Sequence, residues 1–141
     1  MKHFEVRRLL AATPEYIWAR LTDAEAIVSG ELGVTRLEGT IADGASLKVW
    51  SEASPDRAFA LRVTEFTPHA RMVWSGGLPL GLFTGVRQFV LTPKGHRTEF
   101  YMREEFSGLL APLIGRTIPD LTPTFDKFAR GLARLAEEPT Q

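Results

Sequence analysis

Hydrophobic and polar positions along this chain keep one period, switch to a second, and return at the end to the second. From His3 to Leu10 they alternate, with Phe4, Val6, Arg8 and Leu10 against Glu5, Arg7 and Leu9. That pattern predicts a half-buried first strand with one basic residue on its inner set. Thr13 and Pro14 then open a short helix, since a threonine oxygen satisfies an orphan N–H and proline has none to lose at the first position. Ile17, Trp18 and Leu21 give that helix its apolar side. Asp23 is placed to cap a second short helix through Val28, and Gly30 to end it.

Alternation resumes in six runs, at residues 34–42, 46–52, 58–66, 71–75, 83–92 and 97–106. Asp43-Gly44, Ser54-Pro55-Asp56, Pro68-His69, the stretch 76–81 and Lys94-Gly95 separate them, each with turn chemistry. With simple hairpin registers, Leu37, Ile41, Leu47, Val49, Phe59, Leu61, Val63, Met72, Trp74, Phe89, Leu91, Phe100, Met102 and Phe106 fall on one face. Trp50 has the opposite parity and is expected outside. After Gly108 an apolar segment, 109–116, leads to Pro119 and Pro123, which would break a helix already under way. A regular helix is predicted from about Thr122. Ile118, Leu121, Phe125, Phe128, Leu132 and Leu135 recur at helical spacing, leaving Asp126, Lys127, Arg130 and Arg134 for solvent.

These elements predict an α+β domain. A curved seven-stranded antiparallel sheet wraps around a long C-terminal helix, with two short helices after the first strand and room for a pocket between sheet and helix. One domain is expected over residues 1–141, with 138–141 as a flexible tail. The 17 basic and 17 acidic residues cancel, so net charge draws the chain to neither nucleic acid nor anionic lipid. Without cysteine, disulfides and thiolate chemistry are excluded. No apolar run approaches the ~20 residues of a membrane span and the N-terminus lacks a signal-like apolar core, which predicts a cytoplasmic protein.

One polar pair is forced inward. With Pro93 opposite Thr98 across the 94–97 turn, Leu91 meets Phe100, Phe89 meets Met102, and Arg87 meets Glu104 on the concave side. Buried singly, either ion would cost several kcal/mol, roughly, so the two are expected to pair. The pair either holds strands in register at a cavity rim, or orients a ligand carboxylate, phenolate or carbonyl through Arg87 while Glu104 fixes the guanidinium or takes a ligand proton. The aromatic rings similarly serve core packing or line a void for a flat apolar ligand. His3, His69 and His96 sit at a terminus or in turns, without metal-ligand spacing, so no metal site is expected. The glycine-rich stretch 76–81 precedes no helix, which removes a phosphate cradle and leaves a flap bearing Leu78, Leu80 and Leu82, or an ordinary loop.

The order of these elements, with Gly39-Thr40-Ile41 before Gly44, Val63-Thr64-Glu65-Phe66-Thr67-Pro68 leading into Val73-Trp74, and Glu104-Glu105-Phe106-Ser107-Gly108-Leu109, resembles the START-like or SRPBCC superfamily. The polyketide cyclase/dehydrase-like bacterial members are most similar. The resemblance covers nearly the whole chain and implies a helix-grip fold with a deep hydrophobic cavity for lipids, polyketides or other apolar molecules. The superfamily includes carriers, cyclases, hydrolases and chaperone activators. No histidine falls on an expected inner face and no branch-wide catalytic motif transfers, so no catalytic residue is assigned. The expected function is binding of a small hydrophobic ligand, without a cofactor. A cyclase/dehydrase-like enzyme is the alternative, and a protein-interaction module of the chaperone-activator type ranks third. Ligand contact is expected from Arg87, Glu104, Trp74, Met72, Phe89, Phe100, Met102, Phe106, Leu121, Phe125 and Phe128, around a cavity of roughly 300–1,000 Å³ between Phe125, Phe128, Trp74, Phe89 and Met102.

Overall fold

Side-chain caps place the first two helices where the sequence asks for them. Thr13 Oγ1 accepts from the Tyr16 N–H at 3.2 Å, with Pro14 opening α1 (Pro14–Leu21). Asp23 Oδ1 accepts from the N–H groups of Glu25 and Ala26 at the head of α2 (Ala24–Ser29), and Gly30 follows as its cap. The computed structural model describes residues 2–52, 54–78 and 80–137. The expected tail at 138–141 lies outside them.

Seven antiparallel strands make one sheet: β1 (Lys2–Leu10), β2 (Val34–Glu38), β3 (Ser46–Ser51), β4 (Ser54–Thr67), β5 (Arg71–Leu78), β6 (Phe83–Lys94) and β7 (Arg97–Ser107). Their order is β1-β7-β6-β5-β4-β3-β2, so a continuous meander is closed by the first strand returning beside the last. A short helix α3 (Ala111–Ile114), one 3₁₀ turn (Gly115–Thr117) and the long helix α4 (Thr122–Glu137) complete the chain. The sheet curls around α4, whose Phe125 and Phe128 meet Phe4, Phe89 and Phe100 of the concave face. This is the expected helix-grip α+β architecture.

Three strand boundaries differ from the sequence reading by three residues or more. β2 stops at Glu38 because Gly39, at φ +111°, turns the chain so closely against Ser46 that a Cβ would stand 2.7 Å from its carbonyl oxygen. β4 already begins at Ser54, so Ser54-Pro55-Asp56 is strand; a proline near a strand end forfeits little of the ladder. β5 runs through Gly76 and Gly77 to Leu78, which pairs with Phe83. The expected flap therefore contracts to the turn at 80–82, Pro79 lying outside the described residues.

Packing adds further differences. Phe59, expected inside, is 46% exposed at the end of the sheet where the β3–β4 register shifts. Arg8 of the inner set is exposed on edge strand β1. On α4 the buried side combines Phe125, Phe128 and Leu132 with Ala129, Gly131, Ala133 and Ala136, whereas Leu121 and Leu135 are only half-buried. The small residues let the helix sit close: a Cβ on Gly131 would stand 2.7 Å from the Leu32 side chain. Asp126, Arg130 and Arg134 face solvent as expected, while Lys127 is half-buried and donates to Glu52 at 2.7 Å. Trp50 lies outside the core with Arg36 over its ring at 4.9 Å.

Candidate functional site

The concave face is layered from one end of the sheet to the other. Its deeper layer comprises Val6, Met102, Phe89 and Met72, register partners on β1, β7, β6 and β5. Met72, Phe89 and Met102 are completely buried. Phe89 meets Trp74 edge-on with centroids 4.8 Å apart and Phe128 at 5.9 Å, and Phe128 stacks with Phe100 at 6.1 Å. Those distances are ordinary aromatic contact. The cavity expected between Phe125, Phe128, Trp74, Phe89 and Met102 is thus displaced by packing: the rings that were to line it close on one another.

One step toward the open end lies a mixed row. Phe4, Glu104, Arg87, Trp74 and Val63 are successive register partners across β1, β7, β6, β5 and β4. Arg87 Nη2 donates to Glu104 Oε2 at 2.9 Å, and the two side chains retain only 21% and 16% of their exposure. The pairing expected from the hairpin register is therefore made, by a single contact rather than a two-pronged one. The guanidinium carbon also lies 4.9 Å from the centre of the Phe125 ring, so the charge sits on the quadrupole face of a helix aromatic. Two donors in this row, Arg87 Nε and Trp74 Nε1, are buried with no hydrogen-bond partner among the described residues. Such groups each cost about 1–3 kcal/mol relative to a satisfied donor.

Beyond the row the wall is aromatic and incompletely covered. Phe106 and Phe83 stack at 5.7 Å, Phe106 meets Phe4 edge-on at 6.4 Å, and Phe4 meets Phe125 at 6.1 Å. Phe4, Phe83, Phe106 and Leu121 are all half-buried. Gly85 gives Phe106 its place, since a Cβ there would lie 3.2 Å from the ring. The rim is built from two loops joined by backbone bonds, Leu109 N–H to the Gly81 carbonyl at 3.2 Å and Leu110 N–H to the Leu82 carbonyl at 2.7 Å. Leu78, Leu80, Leu109 and Leu113 are exposed there, at 42%, 93%, 80% and 65%. Lys2 Nζ ties the following segment to β1 by donating to the Ile118 carbonyl at 2.9 Å.

The eleven residues expected to touch ligand therefore divide. Arg87, Glu104, Trp74, Phe106, Phe125 and half-buried Leu121 come together at or beside the open end, whereas Met72, Phe89, Phe100, Met102 and Phe128 form the packed floor. Phe4, an inner-set residue, and Phe83, one of the candidate rings, are wall residues absent from those eleven. Pairing β1 beside β7 would have found Phe4, because it then falls opposite Glu104. His3, His69 and His96 are exposed, and among the described residues no cluster of three or more His, Asp or Glu is disposed to hold a metal ion.

The opposite face of the sheet is charged and shallow. A hollow of about 260 Å³ lies over Val73, Val86, Gln88, Arg103 and Glu105; a second, of about 490 Å³, lies among residues of both faces, Leu47, Leu61 and Gly76 with Ala60, Arg62 and Ser75. Tyr101 donates to Glu5 at 2.6 Å, and that bond, with Arg103 and Arg7 nearby, holds the Glu5 carboxyl below its ordinary range. Neither hollow contains the inward ion pair.

Residues 1–138 match the model of a family described as polyketide cyclase/dehydrase and lipid transport. No match was found among curated proteins. Among solved structures, protein MLL2253 from Mesorhizobium loti superposes with a TM-score of 0.77 at 19% identity, covering 99% of this chain and 100% of that one. Truncated norcoclaurine synthase from Thalictrum flavum gives 0.73 at 15% identity, with 99% and 95% covered. DynU16, a protein of the dynemicin biosynthetic locus, gives 0.73 at 22% identity over 97% of this chain and 48% of its own. At these identities the superpositions establish the fold. No helix among the described residues is long and apolar enough to cross a membrane.

Proposed function

The chain belongs to the polyketide cyclase/dehydrase and lipid transport family, and from that premise we propose that it binds a small apolar molecule at the open end of the concave sheet, against Arg87 and Glu104. The observation that carries this reading is the ion pair itself. It sits in a wall otherwise built from Phe4, Trp74, Phe106 and Phe125, where two charges cost more than two apolar side chains would. A half-covered aromatic wall with one convergent polar pair is the usual composition of a small-molecule site. Enclosure is completed by the leucine-bearing loops at 80–82 and 109–113, which make room when a guest enters.

A cyclase-like enzyme acting on the same guest is the second reading. It is favoured by the placement of a carboxylate, Glu104, among the aromatic groups, where it could take or return a proton. In either reading the ligand sits above the packed floor, not within it.

Native mass spectrometry of the purified protein tests the reading. A co-purified apolar molecule, or uptake of added 2-isopropylnaphthalene with one-to-one stoichiometry, is the expected result. A protein that carries no guest and takes up none would overturn it. Recovery of the guest chemically changed would select the enzyme.

A further inference from the structure

Resting on the site just proposed, we infer that its guest is neutral and carries a carbonyl-type oxygen, which the indole N–H of Trp74 and the Nε–H of Arg87 grip together. Trp74 and Arg87 are register partners on β5 and β6, and both side chains belong to the concave face. Trp74 is only 2% exposed, yet its single donor finds no acceptor among the described residues; the same holds for Arg87 Nε. Neither group can accept, so what satisfies them must be an acceptor. Because their residues are neighbours in register on one face, one oxygen with two lone pairs would satisfy both.

Charge narrows the class further. Arg87 is already neutralised by Glu104 at 2.9 Å. A carboxylate or phenolate guest would bring a second negative charge to one guanidinium in a half-buried site, leaving one anion without its counterion. A ketone, ester or quinone oxygen satisfies the same donors without that penalty. The single-contact geometry of the pair keeps Nε out of the Glu104 interaction, as this role requires. Phe125 under the guanidinium, with Phe4 and Phe106 beyond, offers flat apolar surface to the rest of the molecule.

Three probes of nearly one shape separate the possibilities: 2-acetylnaphthalene, its carbonyl-free counterpart 2-isopropylnaphthalene, and the anion 2-naphthoate. Binding is measured by titration to the parent and to Trp74→Phe, and the indole N–H resonance of Trp74 is followed in the parent. The ketone should bind at least ~10-fold more tightly than the other two, from one charge-assisted and one neutral hydrogen bond. Trp74→Phe should reduce its preference over the hydrocarbon by about threefold or more, as loss of one neutral hydrogen bond requires, leaving the share due to Arg87. The indole proton should move downfield with the ketone and not with the hydrocarbon, whose ring current is the same. This resonance decides the matter even if Trp74→Phe fails to fold. Equal binding of ketone and hydrocarbon would overturn the inference while leaving apolar binding intact, and tightest binding of 2-naphthoate would overturn its neutrality. An unchanged preference in a folded Trp74→Phe, or an indole resonance that does not distinguish ketone from hydrocarbon, would overturn the role of Trp74. Failure of all three probes to bind would overturn the site and the inference together.

Discussion

The guanidinium of Arg87 rests over the ring of Phe125, 4.9 Å from its centre, so a charged group joins sheet to helix at the edge of an apolar core. Replacing Arg87 with Met and Glu104 with Leu removes both desolvation costs at once. The double variant should fold with a denaturation midpoint at or above that of the parent. Its affinity for 2-acetylnaphthalene should fall at least ~10-fold, because a hydrogen bond to a charged group is worth about 1.5–3 kcal/mol. Calorimetric titration reads this directly; unchanged affinity in the folded variant would reduce the pair to a strand tie.

Trp18 belongs to the core rather than to the site. It is 6% exposed and meets Phe66 edge-on at 5.2 Å, joining α1 to the end of β4. Trp18→Ala should therefore cost ~3–5 kcal/mol through the void it leaves. Chemical denaturation monitored by far-UV circular dichroism measures the loss, and equal midpoints would contradict the placement.

Gly108 should be the sensitive point of the rim. At φ +114° it occupies backbone space that disfavours other residues, and a Cβ would stand 2.7 Å from the Leu82 carbonyl oxygen and 2.8 Å from that of Gly81. Gly108→Ala should lower stability by about 1–3 kcal/mol. It should also accelerate hydrogen exchange at the Leu110 amide, whose bond to the Leu82 carbonyl measures 2.7 Å. Unaltered exchange there would show that the rim does not depend on this turn.

On the outer face, Glu5 gives a pH signature. The Tyr101 hydroxyl lowers its folded-state pKa, so the interaction stabilises the fold above the unfolded carboxylate value and is lost as pH falls through the folded one. Tyr101→Phe should have a lower denaturation midpoint than the parent near pH 7, with the gap closing below about pH 4. A gap that persisted undiminished into acid would assign the loss to packing of the tyrosine instead.

Much of this architecture was legible because local chemistry and tertiary structure agree. Gly95, at φ +67°, makes the tight turn that puts Pro93 opposite Thr98, and the period of two then carries Arg87 to Glu104 without further information. Thr13 and Asp23 likewise announce their helices. Less legible was anything set by volume. Whether Phe89, Phe100 and Phe128 surround a space or fill it depends on how closely α4 approaches, and that is controlled partly by Gly131 against Leu32, a contact between distant parts of the chain. Gly76 and Gly77 hid the end of β5 because residues without side chains give no alternation. The orphan donors of Trp74 and Arg87 were invisible for a related reason: parity places a side chain on a face, but does not count its hydrogen bonds.

The two halves of α4 are held in different ways. Its far half is clamped, with Gly131 admitting Leu32 at a distance that tolerates no retreat into a bulkier side chain, while its near half presses Phe125 onto the polar row. A guest bound at that row, as proposed above, would press on the near half rather than on the clamped one. The first turn of that near half is held by Asp120 Oδ1, which accepts from the Thr122 N–H at 3.0 Å. On the proposed reading, guest exchange would draw on the contacts of the near end of the helix and global stability on those of the far end, two different sets of interactions.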